Sequence, residues 1–232
     1  MPTTYPLVWD ATGEKYFETG NKKGVLYVMN ANGTYNAGVA WNGLTAVTLS
    51  NSGAEETALW ADDIKYASLR SAEEFGATIE AYQCPTEFYE CDGTATIEPG
   101  VYLGQQTRKH FGFSYVTTIG NDTLGNDFGY KIHLIYNASA NPSERSYQTI
   151  NESPDAITLS WELTTTPVPV TNYDQNDDYA GNYKNVAHIE IDSTKVDSTK
   201  LAAFEAILYG SGSTAPRLPE PGEVAHLLAS NP

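Results

Sequence analysis

The side chains best suited to proton transfer near neutral pH are four histidines, His110, His133, His188 and His226. None is spaced so as to join a Ser, Cys or Thr nucleophile to a base and an orienting group. His133 and His188 lie within alternating apolar runs, so they read as solvated or hydrogen-bonded side chains on β surfaces. Adjacent acids occur at Glu55-Glu56, Asp62-Asp63 and Glu73-Glu74. Glycoside hydrolysis needs two carboxyls facing each other across a sugar, roughly 5 to 10 Å apart. Neighbours in sequence rarely converge that way, and these acids read as solvated surface. Asp174, Asn176 and Asp178 alternate as in a calcium loop, yet Tyr179 stands where an EF-hand needs glycine and no glutamate occupies the twelfth position.

Two cysteines, Cys84 and Cys91, are too few for a disulfide framework or a four-ligand zinc site, and their spacing is not that of a redox motif. They read as buried or half-buried thiols. The glycines at 100–104 and 120–129 follow turn logic, and no Walker loop or dinucleotide fingerprint occurs, so no cofactor is expected. With 13 basic and 29 acidic residues the chain carries a formal charge of -16, which disfavours sequence-independent attraction to nucleic-acid phosphates. The sequence contains no apolar run of about 18 residues that could span a bilayer, and its first residues lack the pattern of a secretory signal. A soluble protein without membrane contact, made and kept in the cytoplasm, is the expectation.

The elements that would position these residues are mainly β. Ile157, Leu159, Trp161 and Leu163 alternate with polar residues, as in a strand with one buried face. The same period recurs at Tyr130, Ile132, Leu134 and Tyr136, at Ala187, Ile189 and Ile191, and at Ala77, Ile79 and Ala81. Phe111, Phe113, Tyr115 and Ile119 suggest another strand, joined to the 130–136 run by a generous loop over 120–129. Asp197-Ser198, then Leu201, Phe204, Ile207 and Leu208, then Gly210, predict one amphipathic helix near 198–209. Residues 71–75 and 223–229 could each form a helical turn or two. A long connection or exposed lobe is expected after Pro167, over 171–184. Residues 1–20 and 211–232 read as N- and C-terminal arms around a β-rich core over 24–210, all in one domain.

Five stretches carry a more specific signal: GVAWNGLT (38–45), SAEEFGATIEAY (71–82), GQQTRK (104–109), YKIHLIY (130–136) and SWELTTTP (160–167). Together, in collinear order over roughly 24–170, they resemble the major tail proteins of long-tailed bacteriophages. The resemblance implies a β-sandwich or rolled β-barrel with a flanking helix, in subunits that form six-membered rings stacked into a hollow tail tube. It implies a conduit for genome DNA with no enzymatic activity and no cofactor. Its partners would be other copies of itself and the tape measure, tail tip and tail terminator proteins, in a virion tail assembled in the bacterial host cytoplasm. DNA would pass through the lumen without specific binding, a role the acidic balance suits, although acidity also keeps an abundant subunit soluble.

Contact between rings is expected over 51–64, through Glu55, Glu56, Leu59, Trp60, Asp62 and Asp63, where an exposed Trp60 would need a partner. The alternative is that Leu59 and Trp60 cover this subunit's own core. The arms are second candidates for contact, and isolated subunits are expected to stay largely monomeric until nucleated. Two other readings stay open: a carbohydrate-binding β-sandwich, since 16 tyrosines supply rings that stack on sugars, and, last, a two-carboxylate glycosidase.

Overall fold

A computed structural model describes residues 7–150 and 156–229. The strands are β1 (Tyr16–Val28), β2 (Val39–Trp41), β3 (Leu44–Leu49), β4 (Ser52–Gly53), β5 (Glu56–Ala61), β6 (Ile64–Arg70), β7 (Glu73–Glu74), β8 (Gly76–Ala81), β9 (Ala95–Glu98), β10 (Val101–Leu103), β11 (Phe111–Asn121), β12 (Gly125–Ala140), β13 (Leu159–Thr165) and β14 (His188–Asp192). Two helices follow, α1 (Ser198–Leu208) and α2 (Pro221–Leu228). The protein is mainly β, as its period-2 patterning requires.

One antiparallel sheet runs β2-β1-β11-β12-β13-β8-β3, with β14 pairing β12 off this path. The sheet is rolled: β3, last in the order, returns beside β1, so that a Cβ on Gly24 would lie 2.3 Å from Leu44 Cδ1. Strands from both ends of the order therefore line one core, with Leu26 and Val28 from β1 meeting Ala77, Ile79 and Ala81 from β8 and Trp161 and Leu163 from β13. A short 3-10 turn over Thr86–Glu90 seats Phe88 in that core, its ring centroid 4.6 Å from Trp41 and 5.1 Å from Trp161. The Trp41 indole donates to Gln83 O at 2.8 Å.

The opposite face of β1, β11 and β12 is covered by the helices: Tyr27, Val116, Ile132, Leu134 and Tyr136 pack with Leu201, Phe204 and Leu208 of α1 and Val224 of α2. Burial on both faces is why residues 132–136 are continuously apolar apart from His133. α1 starts where Asp197 accepts from Thr199 N and Lys200 N, and ends before Gly210 at φ +83°.

β12 changes partners along its length. Lys131–Ile135 pair with β14, whereas Ala138–Ala140 pair with β13. Between them Asn137, at φ +47°, takes the left-handed conformation that Asn tolerates, donates its N–H to Tyr35 Oη and its side-chain amide to Thr166 O.

Several expectations are corrected. The generous loop over 120–129 is a tight one: Asn121 pairs with Gly125, and Asn121 Oδ1 accepts from Thr123 N and Leu124 N. Ile157 precedes its strand and is exposed, because β13 begins at Leu159. Residues 71–75 form no helical turn; Glu73 and Glu74 pair with Gly53 and Ser52, and so short a helix has no stability of its own. Residues 16–20 of the expected N-terminal arm belong to β1, where Tyr16–Thr19 pair with 118–121. The expected C-terminal arm folds onto its own subunit, and the helical turn or two expected over 223–229 is the helix α2, which starts at Pro221. Leu218 and Val224 are buried, Tyr136 Oη donates to Pro219 O at 3.0 Å, and the Arg217 guanidinium grips the buried Glu223 carboxylate with two hydrogen bonds of 2.7 and 2.5 Å. The outermost arm residues, 1–6 and 230–232, lie outside the described residues.

Candidate functional site

Between β3 and β8 the chain leaves the rolled sheet as a two-stranded ribbon. Ser50 and Gly76 exchange backbone hydrogen bonds of 2.9 and 3.1 Å, β4 pairs β7, and β5 pairs β6 from Glu56↔Arg70 to Ala61↔Ile64. Asp62 and Asp63 close the ribbon at φ +51° and +62°, the two left-handed residues of a tight hairpin turn whose twist matches the strands. At the neck, Gly53 has φ +78° and a Cβ there would lie 2.2 Å from Ala72 O, so a side chain is excluded.

The register sorts the ribbon into two faces. Glu56 shares one face with Arg70, Ser68, Lys65 and Trp60; its carboxylate accepts from Ser68 Oγ at 2.6 Å, pairs with Lys65, and lies 3.5 Å from Arg70 Nη2. Lys65, and then Ser68 and Arg70, hold the Glu56 carboxyl below its usual range. The other face carries Thr57, Leu59, Ala61, Ile64, Ala67 and Leu69, nearly all apolar. Among the described residues nothing covers either face: Trp60 is 69% exposed, Tyr66 74%, Ile64 62% and Leu69 58%. An uncovered apolar surface on a ribbon that also carries fixed charges makes the ribbon the candidate contact site.

The candidate residues Glu55, Glu56, Leu59, Trp60, Asp62 and Asp63 thus lie together on this ribbon. Leu59 and Trp60 are exposed and do not cover the subunit's own core. Sequence reading missed Tyr66 and Leu69, which lie beyond the 51–64 region, although Ile64 and Tyr66 alternate after Asp62-Asp63, a hairpin signal without the usual glycine. A second exposed apolar site is Leu7-Val8-Trp9, ahead of the point where Gly13 N donates to Asp122.

The paired acids are all exposed and lie along the projecting ribbon. Asp174 and Asp178 fall in an exposed segment closed by its own bonds: Asp177 Oδ2 accepts from Tyr173 N and Asp174 N, and Asp177 Oδ1 meets His226 Nδ1 at 3.0 Å. His226 holds the Asp177 carboxyl below its usual range. Cys84 is half-buried and Cys91 buried; burial pushes their thiols up to about 11 and about 12. No group of three metal-ligating side chains occurs among the described residues, nor a helix long and apolar enough to cross a membrane.

His133 and His188, expected on β surfaces, are brought together. His133 is 4% exposed; its Nε2 lies 3.0 Å from Thr117 Oγ1, and its ring lies parallel to Tyr115 at 4.5 Å. The His188 ring is parallel to that of Phe75 at 4.8 Å, at the root of the ribbon. Burial lowers the proton affinity of both imidazoles, that of His188 to about 4. Compared with known proteins, the chain matches no family model and no curated sequence.

Proposed function

We propose that this chain is a self-assembling structural subunit of the tail-tube type, forming six-membered rings that stack into a hollow conduit for DNA. The observation that carries this reading is the projecting ribbon of residues 50–76, with one apolar face and an exposed Trp60 that the subunit leaves uncovered. It is supported by the five stretches that resemble major tail proteins. In this role the chain needs no catalytic group, metal or cofactor. Its partners are other copies of itself and the tape measure, tip and terminator proteins of a virion tail put together in the bacterial cytoplasm. The formal charge of -16 suits a wall that polyanionic DNA passes without specific binding.

Negative-stain electron microscopy over a concentration series tests the proposal. Rings or hollow tubes of constant diameter are the expected result at high concentration; particles of random size, or none at any concentration, count against it. Exposed Trp60 and Tyr66 also favour a carbohydrate-binding surface, because uncovered rings stack on sugars. A glycan array separates the two readings: glycan binding that is lost in Trp60→Ala would put the sugar reading first.

A further inference from the structure

The ribbon tip combines an exposed indole, Trp60, with two adjacent carboxylates, Asp62 and Asp63, that make no salt bridge. A surface that receives it must offer an apolar hollow beside uncommitted cations. Cations of that kind are scarce. Eight of the Lys and Arg side chains are held by carboxylates, and Lys200 donates to Ala229 O. Among the described residues only Lys15, Lys22, Lys23 and Lys184 are left with neither a carboxylate nor a hydrogen-bonded carbonyl as partner.

Two of these four are adjacent. The ladder of β1 with β11 slips at Lys22, Lys23 turns to φ +53°, and both side chains are exposed. The Lys23 ammonium lies over the Tyr209 ring, 5.2 Å from its centroid. Beneath it is a hollow of about 500 Å³ lined by Gly24, Val25, Gly38, Ala40, Tyr209 and Pro216, with no carboxylate in its lining. Three other hollows suit the tip less well. One contains Glu18 and Asp192, another Glu87 and Glu90, and the third offers a single lysine, Lys184, to a tip that carries two carboxylates.

We infer that the Lys22-Lys23 bulge and the hollow below it receive the ribbon tip of a neighbouring copy of this chain, with Trp60 in the hollow and Asp62-Asp63 against the two lysines. This rests on the assembly reading and names the surface that completes it. Donor and acceptor are unlike surfaces, so each copy offers one of each, and the contact propagates instead of closing on a two-fold pair.

The test uses the full-length chain. Isotope-labelled and unlabelled copies are mixed and concentrated, association is followed by sedimentation, and a water-soluble carbodiimide condenses nearby carboxylates with lysine amines, with loss of water. Mixed-isotope peptides report links between copies. The expected links join Asp62 or Asp63 to Lys22 or Lys23 and fall by roughly fivefold or more in Trp60→Ala and in Lys22→Glu, both exposed positions where the fold tolerates change. Mixed-isotope links from Asp62 and Asp63 that reach only Lys15 or Lys184 overturn this acceptor while leaving assembly intact. A chain that sediments as a monomer at every concentration, with no mixed-isotope peptides, overturns the assembly reading and this inference with it.

Discussion

His133 Nδ1 lies 3.2 Å from His188 Nε2, two rungs away on the β12–β14 ladder, so one imidazole must donate and the other accept. Two charged rings would set N–H against N–H. Glu190 and Glu18 face the pair from β14 and β1 and favour its protonation, while Lys131, bridging those two carboxylates, opposes it. Burial outweighs the carboxylates, and His188 falls from 6.5 to about 4. The unfolded chain therefore binds more protons than the folded one between those values. Stability is full above about pH 6.5 and is lost as pH falls towards 4. A loss on the order of 1–2 kcal/mol is expected, after allowing for partial solvent screening. Urea denaturation at a series of pH values measures it, and His188→Phe, which keeps a ring against Phe75, should flatten the slope in that window.

Trp60→Ala removes no core contact, because the indole is exposed. Its melting temperature should match the parent, with a stability change within about 0.5 kcal/mol. Tube formation, scored by electron microscopy at matched concentration, should fall sharply. Unchanged tubes would count against the ribbon as a contact site.

Phe88→Ala acts in the opposite way. Phe88 is fully buried between Trp41, Phe111 and Trp161, and its removal leaves a cavity among rigid aromatics. A loss of about 3–5 kcal/mol is expected in denaturant unfolding.

Gly53→Ala places a methyl against Ala72 O in a backbone conformation that alanine resists. The neck of the ribbon should open without unfolding the sheet. Hydrogen exchange should quicken at Ala54 and Ser71, whose N–H groups bond across the neck, and stay slow at Leu134 and Phe113.

Strand positions were legible wherever one face meets water. β8, with Ala77, Ile79 and Ala81 buried and polar residues between, is such a case. β12 was harder, because both of its faces are covered and alternation fades into a run; only the structure shows that His133 turns to the inner core and Ile132 to the helices. The capped helix was legible because Asp197 and Gly210 are local signals. α2 was legible only as a turn or two over 223–229, since Glu220 supplies no side-chain cap and the helix is held by tertiary contacts through Leu218, Val224 and the Arg217–Glu223 pair. The acids and Trp60 of the ribbon were legible as a cluster of unusual composition. Their division into a charged and an apolar face depends on a pairing register with a slip between Leu59 and Trp60, which composition does not encode.

The narrow neck at Gly53 separates two kinds of selection. Residues 54–71 fold on a ladder of their own and share no buried side chain with the rolled sheet, so changes there leave its stability nearly untouched and, on the assembly proposal, alter what the subunit touches. Core positions such as Trp161 and Phe88 have no such freedom. On the same proposal, recognition can diverge while the scaffold stays fixed, and a ribbon exchanged at the neck would carry its partner preference with it.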